Sequence, residues 1–121
     1  MPTADFKQGT NLVGKILASG QVPTTGATIV YTVPASSAAK IASAVLCNVT
    51  ASAVTVTVAV VPSGQSVDGT RTILSAYSLA AGDSTSVTEL VGAFMDAGAF
   101  ISITASAGAA VNYLLTGAVS S

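Results

Sequence analysis

The chain has 121 residues, 50% hydrophobic, 7% charged and 5% aromatic, with no histidine, no tryptophan and a formal net charge of −1. That length supports one domain with its own core and leaves no room for two joined by a linker. The four basic residues Lys7, Lys15, Lys40 and Arg71 are scattered, so no positive run tracks a phosphate backbone and nucleic acid is not an expected partner.

Residues 1–26 read as an N-terminal arm with a possible first strand, and residues 27–121 as a β-sandwich domain. Met1 to Thr10 is polar and aperiodic, while Leu12 to Leu17 carries a weak apolar pattern interrupted by Gly14 and Lys15. Met1 to Gln8 holds Asp5 and Lys7 without an apolar stretch, which does not read as a secretory leader, so synthesis in the cytoplasm is expected. Ile29, Tyr31 and Val33 then alternate with Thr28, Val30 and Thr32 before Pro34, which suits a strand end because it cannot donate to a central ladder. From Lys40 to Thr50 the pattern places Ile41, Val45, Cys47 and Val49 on one face, with Ser43 and Asn48 marking the intervening positions. Thr50-Ala51-Ser52 reads as the turn of a hairpin leading into the strongest periodic segment. There, from Ala53 to Val60, valine takes every second position, as in a half-buried strand.

Pro62-Ser63-Gly64 closes that strand, and a polar loop through Asp68-Gly69 leads to Thr72-Ile73-Leu74 and Tyr77-Ser78-Leu79. Ala80-Ala81-Gly82-Asp83 is a turn, Ser84 to Leu90 a short strand, Asp96-Ala97-Gly98 a turn, and Phe100 to Thr104 a strand. After Ala107-Gly108-Ala109 the last strand places Val111, Tyr113 and Leu115 on one face. The expected fold is all-β: a single β-sandwich or jelly-roll-like barrel of about seven to eight short antiparallel strands with an N-terminal arm. No stretch approaches the ~18 uninterrupted apolar residues of a membrane helix. A porin-like barrel would need aromatic girdles and strands of about ten residues, so no membrane is expected. The stretch from Val54 to Val60 is uncharged, free of proline and β-prone, and it must be central or covered to avoid edge-to-edge aggregation.

Chemistry is sparse. The missing histidine removes the commonest general base and metal ligand. Asp68, Asp83 and Asp96 sit in turns, where a carboxylate ordinarily bonds its local backbone. Glu89 is the only glutamate and stands apart from a second carboxylate, so no acid and base pair is asserted. A Ca²⁺ site is conceivable only if two aspartate turns meet at one end of the sandwich. Cys47, the single cysteine, reads as a small buried side chain. Among the tyrosines, Tyr31 and Tyr113 fall on core faces, leaving Tyr77 as the one candidate for an exposed platform of the kind sandwich proteins use for sugars. No catalytic, cofactor-binding or metal residue is assigned, and no cofactor or enzymatic activity is expected.

The ordered set Ile29-Val30-Tyr31-Thr32-Val33-Pro34-Ala35, Val45-Leu46-Cys47-Asn48-Val49-Thr50, Val58-Ala59-Val60-Val61-Pro62-Ser63-Gly64 and Leu79-Ala80-Ala81-Gly82-Asp83 resembles small virion structural proteins of tailed bacteriophages. The resemblance spans residues 27–119. It departs at Asp96-Ala97-Gly98-Ala99, where the carboxylate precedes the glycine instead of following it. It implies a virion location and a non-enzymatic particle component in multiple copies: a capsid decoration or spike subunit, or a tail or baseplate part. The implied partners are other copies of the chain, as in a homotrimer, and the major capsid protein or tail proteins. A glycan-binding sandwich module is the alternative.

Overall fold

The computed structural model describes residues 12–67 and 69–120. These form β1 (Leu12–Gln21), β2 (Thr28–Thr32), β3 (Ala38–Asn48), β4 (Val54–Val61), β5 (Thr72–Leu79), β6 (Ser84–Ser86), β7 (Phe94–Met95), β8 (Phe100–Ala105) and β9 (Val111–Ser120), with one 3-10 turn at Gly69–Arg71. The segment read as a possible first strand supplies β1, and the earlier part of the arm lies outside the described residues.

Every ladder is antiparallel. One sheet has the order β1-β9-β3, with β6 and β7 both along the outer edge of β3, and the other has the order β2-β8-β4-β5. The pairing is nested: β1 with β9, β2 with β8, β3 with β6 and β7, and β4 with β5. A chain doubled back on itself in this way and wrapped over two sheets is a jelly roll, the more specific of the two architectures the sequence allowed.

β6 and β7 are halves of one strand in this plan. Between them Val87 N–H still donates to the Ala44 carbonyl at 2.8 Å, and Gly92 N–H to the Ile41 carbonyl at 2.7 Å. The intervening residues coil into tight turns closed by Leu90 N–H to Val87 O (3.0 Å) and Ala93 N–H to Leu90 O (3.0 Å). The coil drives Leu90 into the core, where it is fully buried. The strand expected over Ser84 to Leu90 is therefore strand only as far as Ser86.

Sandwich burial follows from alternation. Val54, Val56 and Val58 point inward from β4, which lies between β8 and β5, so the aggregation-prone valine stretch is central as it must be. Ile41, Leu46 and Leu115 meet them from the other sheet. Tyr113 packs half-buried against this core, as its alternation implied; Tyr31 does so as well, but Ile29, expected on its face, is exposed and Val30 is buried, because a bulge between Ile29 and Tyr31 breaks the alternation of β2.

Further expectations fail for identifiable reasons. Thr50-Ala51-Ser52 is not a hairpin turn, because β3 and β4 belong to opposite sheets and the loop carries the chain across the sandwich. Along β3 and just past it, Ile41 faces the core, but Val45, Cys47 and Val49 do not: Val45 and Cys47 are half-exposed on the outer face, opposite Leu114 and Asn112, and Val49 is exposed. A bulge between Ile41 and Ser43 inserts one residue and reverses the alternation, so Ala44, Leu46 and Asn48 become the buried set. Gly117 faces this bulge, and a Cβ there would collide with the Lys40 carbonyl, so only glycine lets β9 approach β3.

The burial of Asn48 is complete and compensated. Its amide donates to the carbonyls of Ser52 (2.7 Å), Leu79 (3.1 Å) and Ala80 (3.2 Å). Its Oδ1 accepts from Thr50 N–H (2.9 Å) and the Thr50 hydroxyl (2.7 Å). One side chain thus fastens the β3–β4 crossover to the end of β5.

Candidate functional site

The described carboxylates do not converge. Asp83 Oδ1 accepts from Ser84 N–H at 2.9 Å, the local turn role expected of it. Its carbonyl takes the Asn48 N–H at 2.8 Å, which places this turn at the Asn48 end of β3. Asp96 follows β7, which pairs with Ala39 and Lys40 at the other end of β3, so the Asp83 and Asp96 turns stand at opposite ends of the sandwich and share no cation. Asp68, like Asp5, lies outside the described residues. Among the described residues no three His, Cys, Asp or Glu side chains gather around a point.

The tyrosines separate by environment. Tyr113 spreads over Gly20 of β1, where a Cβ would stand 3.0 Å from its hydroxyl. The Tyr31 hydroxyl is buried without a hydrogen-bond partner among the described residues, and burial raises its pKa above the ordinary 10.0. Tyr77 is 45% exposed beside a recess of about 150 Å³, lined also by Leu74, Thr85, Ser86, Thr88 and Glu89. This recess is the lateral mouth of the sandwich, where β5, an edge strand of one sheet, faces β6 at the edge of the other.

A bulge shapes that mouth. Val56 pairs with Tyr77 and Val58 with Leu74, so Thr57 alone faces both Ser75 and Ala76. Ala76 adopts a left-handed backbone (φ 47°) and donates its N–H to the Thr57 hydroxyl at 3.0 Å. A non-glycine residue in this region costs about 1–2 kcal/mol. Opposite, the turn after β6 presents Glu89, whose carboxylate accepts from the Thr88 hydroxyl at 3.5 Å. Sequence reasoning isolated Tyr77 by elimination, but it gave no reason to join it to Glu89, which reaches the site only because the chain crosses between sheets after β5.

A second depression of about 340 Å³ lies nearer the other end, lined chiefly by Val60, Pro62, Phe94, Met95 and Ala99. Phe94 is 66% exposed, and the Lys40 ammonium sits 5.3 Å from its ring centroid, a cation–π pair on the sheet surface.

The outer face of the β1-β9-β3 sheet carries small, polar and apolar side chains and little charge. Across it run Ser19, Leu114, Val45 and Ser86 in one row, Ile16, Thr116 and Ser43 in the next, and Gly14, Ala118, Lys40 and Phe94 beyond. At its far end Gln21 Nε2 donates to Asn112 Oδ1 at 2.9 Å. Lys40 is the one charged residue in these rows, and Ile16 is 60% exposed. Sequence alternation turns Val45 inward, and the β3 bulge that moves it outward brings it onto this face. The chain matches no family model, no curated protein and no solved structure.

Proposed function

We propose that the chain is a non-enzymatic structural subunit of a tailed-bacteriophage virion, present in multiple copies, with a capsid decoration or spike role ahead of a tail or baseplate one. The observation that carries this reading is the outer face of the β1-β9-β3 sheet. Ile16, Leu114 and Val45 stand on a surface with a single charge, and a face of that kind is suited to being covered. Two further features support the reading. The charged share of 7% gives neighbouring copies little electrostatic reason to stay apart. The jelly roll is also an architecture that virus shells use, although lectins use it too and fold alone does not assign a role. The ordered motifs between residues 27 and 119 point the same way.

Sedimentation equilibrium of the purified protein, and co-sedimentation with particles from a lysate of the phage that carries the gene, test the proposal. Self-association together with pelleting on particles is the expected result, and a stable monomer that never co-sediments refutes it. Immunogold labelling of the particles separates head from tail.

A further inference from the structure

We propose that the recess between the β5 and β6 edges is a binding subsite for a neutral sugar ring, a role that stands apart from the virion reading and does not depend on it. The first observation is where Tyr77 sits. Its ladder partner Val56 is fully buried, so regular pairing on a covered strand would send the phenol into the core. Because β5 is an edge strand with a bulge immediately before Tyr77, the ring instead stands at the mouth of the sandwich, 45% exposed. Bulges beside binding sites re-aim side chains in this manner, and the left-handed Ala76 shows that the fold tolerates strain at this point.

The second observation is the chemistry that faces the ring. Thr85 and Thr88 bring hydroxyls, and Glu89 brings a carboxylate, from the opposite sheet edge and the turn after it, while Ser86, whose side chain lies on the outer face, only borders the recess. A pyranose has an apolar C–H face that stacks on an aromatic ring and equatorial hydroxyls that donate to a carboxylate in pairs. The lining matches both halves of that requirement. Charge sets the ligand class: no Lys or Arg among the described residues lines the recess, so Glu89 disfavours phosphorylated, sulfated or acidic sugars. A cationic headgroup would favour a cage of several aromatic rings, whereas this recess contains only one. Size sets the length: about 150 Å³ is well below the roughly 300–1,000 Å³ of pockets that enclose drug-sized ligands, so one ring is held and the rest of a glycan lies in solvent.

Saturation-transfer difference NMR tests this with the methyl glycosides of glucose, galactose, mannose and N-acetylglucosamine, and with tetramethylammonium as the cationic comparison, all at millimolar concentration. At least one neutral glycoside is expected to show transfer. Tyr77→Ala should weaken it about tenfold or more, equivalent to losing one good aromatic contact. Tyr77→Phe should retain it, and Glu89→Gln should weaken it several-fold. Amide spectra of each variant verify the fold, which these exposed positions leave intact. The proposal is overturned if no glycoside shows transfer, if Tyr77→Ala binds like the parent, or if only tetramethylammonium responds. None of these results bears on co-sedimentation with particles, so the two readings fail separately.

Discussion

Replacing Asn48 tests whether one buried polar side chain holds the crossover between sheets. Asn48→Ala removes two N–H donors shared among the carbonyls of Ser52, Leu79 and Ala80, and an oxygen that accepts two bonds from Thr50. Most of the orphaned groups lie near the surface and rehydrate at a net cost of about 1 kcal/mol or less each. The Leu79 carbonyl is buried and keeps more of its desolvation penalty. The loss is expected to total about 3–4 kcal/mol, a large part of the ~5–15 kcal/mol that holds a typical domain folded. In thermal denaturation followed by circular dichroism this is a Tm drop of roughly 10–15 °C. Asn48→Asp sharpens the test, because the new carboxyl group keeps the shape but faces carbonyl oxygens. Its ionised form is disfavoured in the folded state, so its pKa there is raised. The variant should therefore be closest to the parent near pH 3 and lose stability as the pH rises through the ordinary carboxylate range at about 4. An Asn48→Ala protein within about 1 kcal/mol of the parent, or an Asn48→Asp protein indifferent to pH over that range, refutes the reasoning.

Gly117→Ala drives a methyl group into the Lys40 carbonyl and should destabilise by at least ~2 kcal/mol in urea titration, or prevent soluble expression; unchanged stability would show that the bulge can move aside. Val56→Asp or Val58→Asp places a charge at a fully buried position of a central strand and should abolish soluble folding, which a solubility assay reads directly. Tyr31→Phe removes a buried hydroxyl that has no partner among the described residues and should be neutral or stabilising by up to about 1 kcal/mol. Because the folded-state pKa of Tyr31 lies above 10.0, the parent should lose stability as the pH rises beyond that value while the phenylalanine variant does not, as denaturation at alkaline pH would reveal. Ala76→Gly relieves the left-handed backbone and should leave stability unchanged or raise it by up to ~1 kcal/mol, the reverse of the usual cost of glycine in a strand.

The strands themselves were legible because valine alternation at Val54, Val56 and Val58 and the turns at Gly82-Asp83 and Gly98 are local signals. Sheet membership was not. A turn such as Thr50-Ala51-Ser52 has the same chemistry whether it reverses the chain within one sheet or carries it to the other, and in this fold the β4–β5 link is the sole direct in-sheet hairpin among the described residues, besides the break between β6 and β7. Face assignment failed at Val45 and Cys47 for a related reason. A bulge adds one residue with no side-chain signature of its own, and a shift of one flips everything downstream. The same limit hid the place of Val45 on the outer face, whereas Leu114 stands outward as the alternation of Val111, Tyr113 and Leu115 implies. Asn48 looked like a solvent marker because its type is usually exposed, and only the carbonyls brought to it by β5 explain its burial. Tyr77 could be singled out from sequence. Its partner Glu89 could not, since the two belong to different sheet edges.

The nested pairing has a kinetic consequence. Leu12 lies opposite Ser120, and the β1–β9 ladder joins residues separated by almost the whole described chain. Only the β4–β5 hairpin closes over a short loop, so it is the natural seed, and each later pair must enclose everything already folded. Such high contact order places folding in the slow range, about milliseconds to seconds, with the outermost ladder completed last. During synthesis β1 therefore emerges first and waits longest for its neighbour. Until β9 arrives, its edge is open to any strand that can pair with it, including the β9 of another copy.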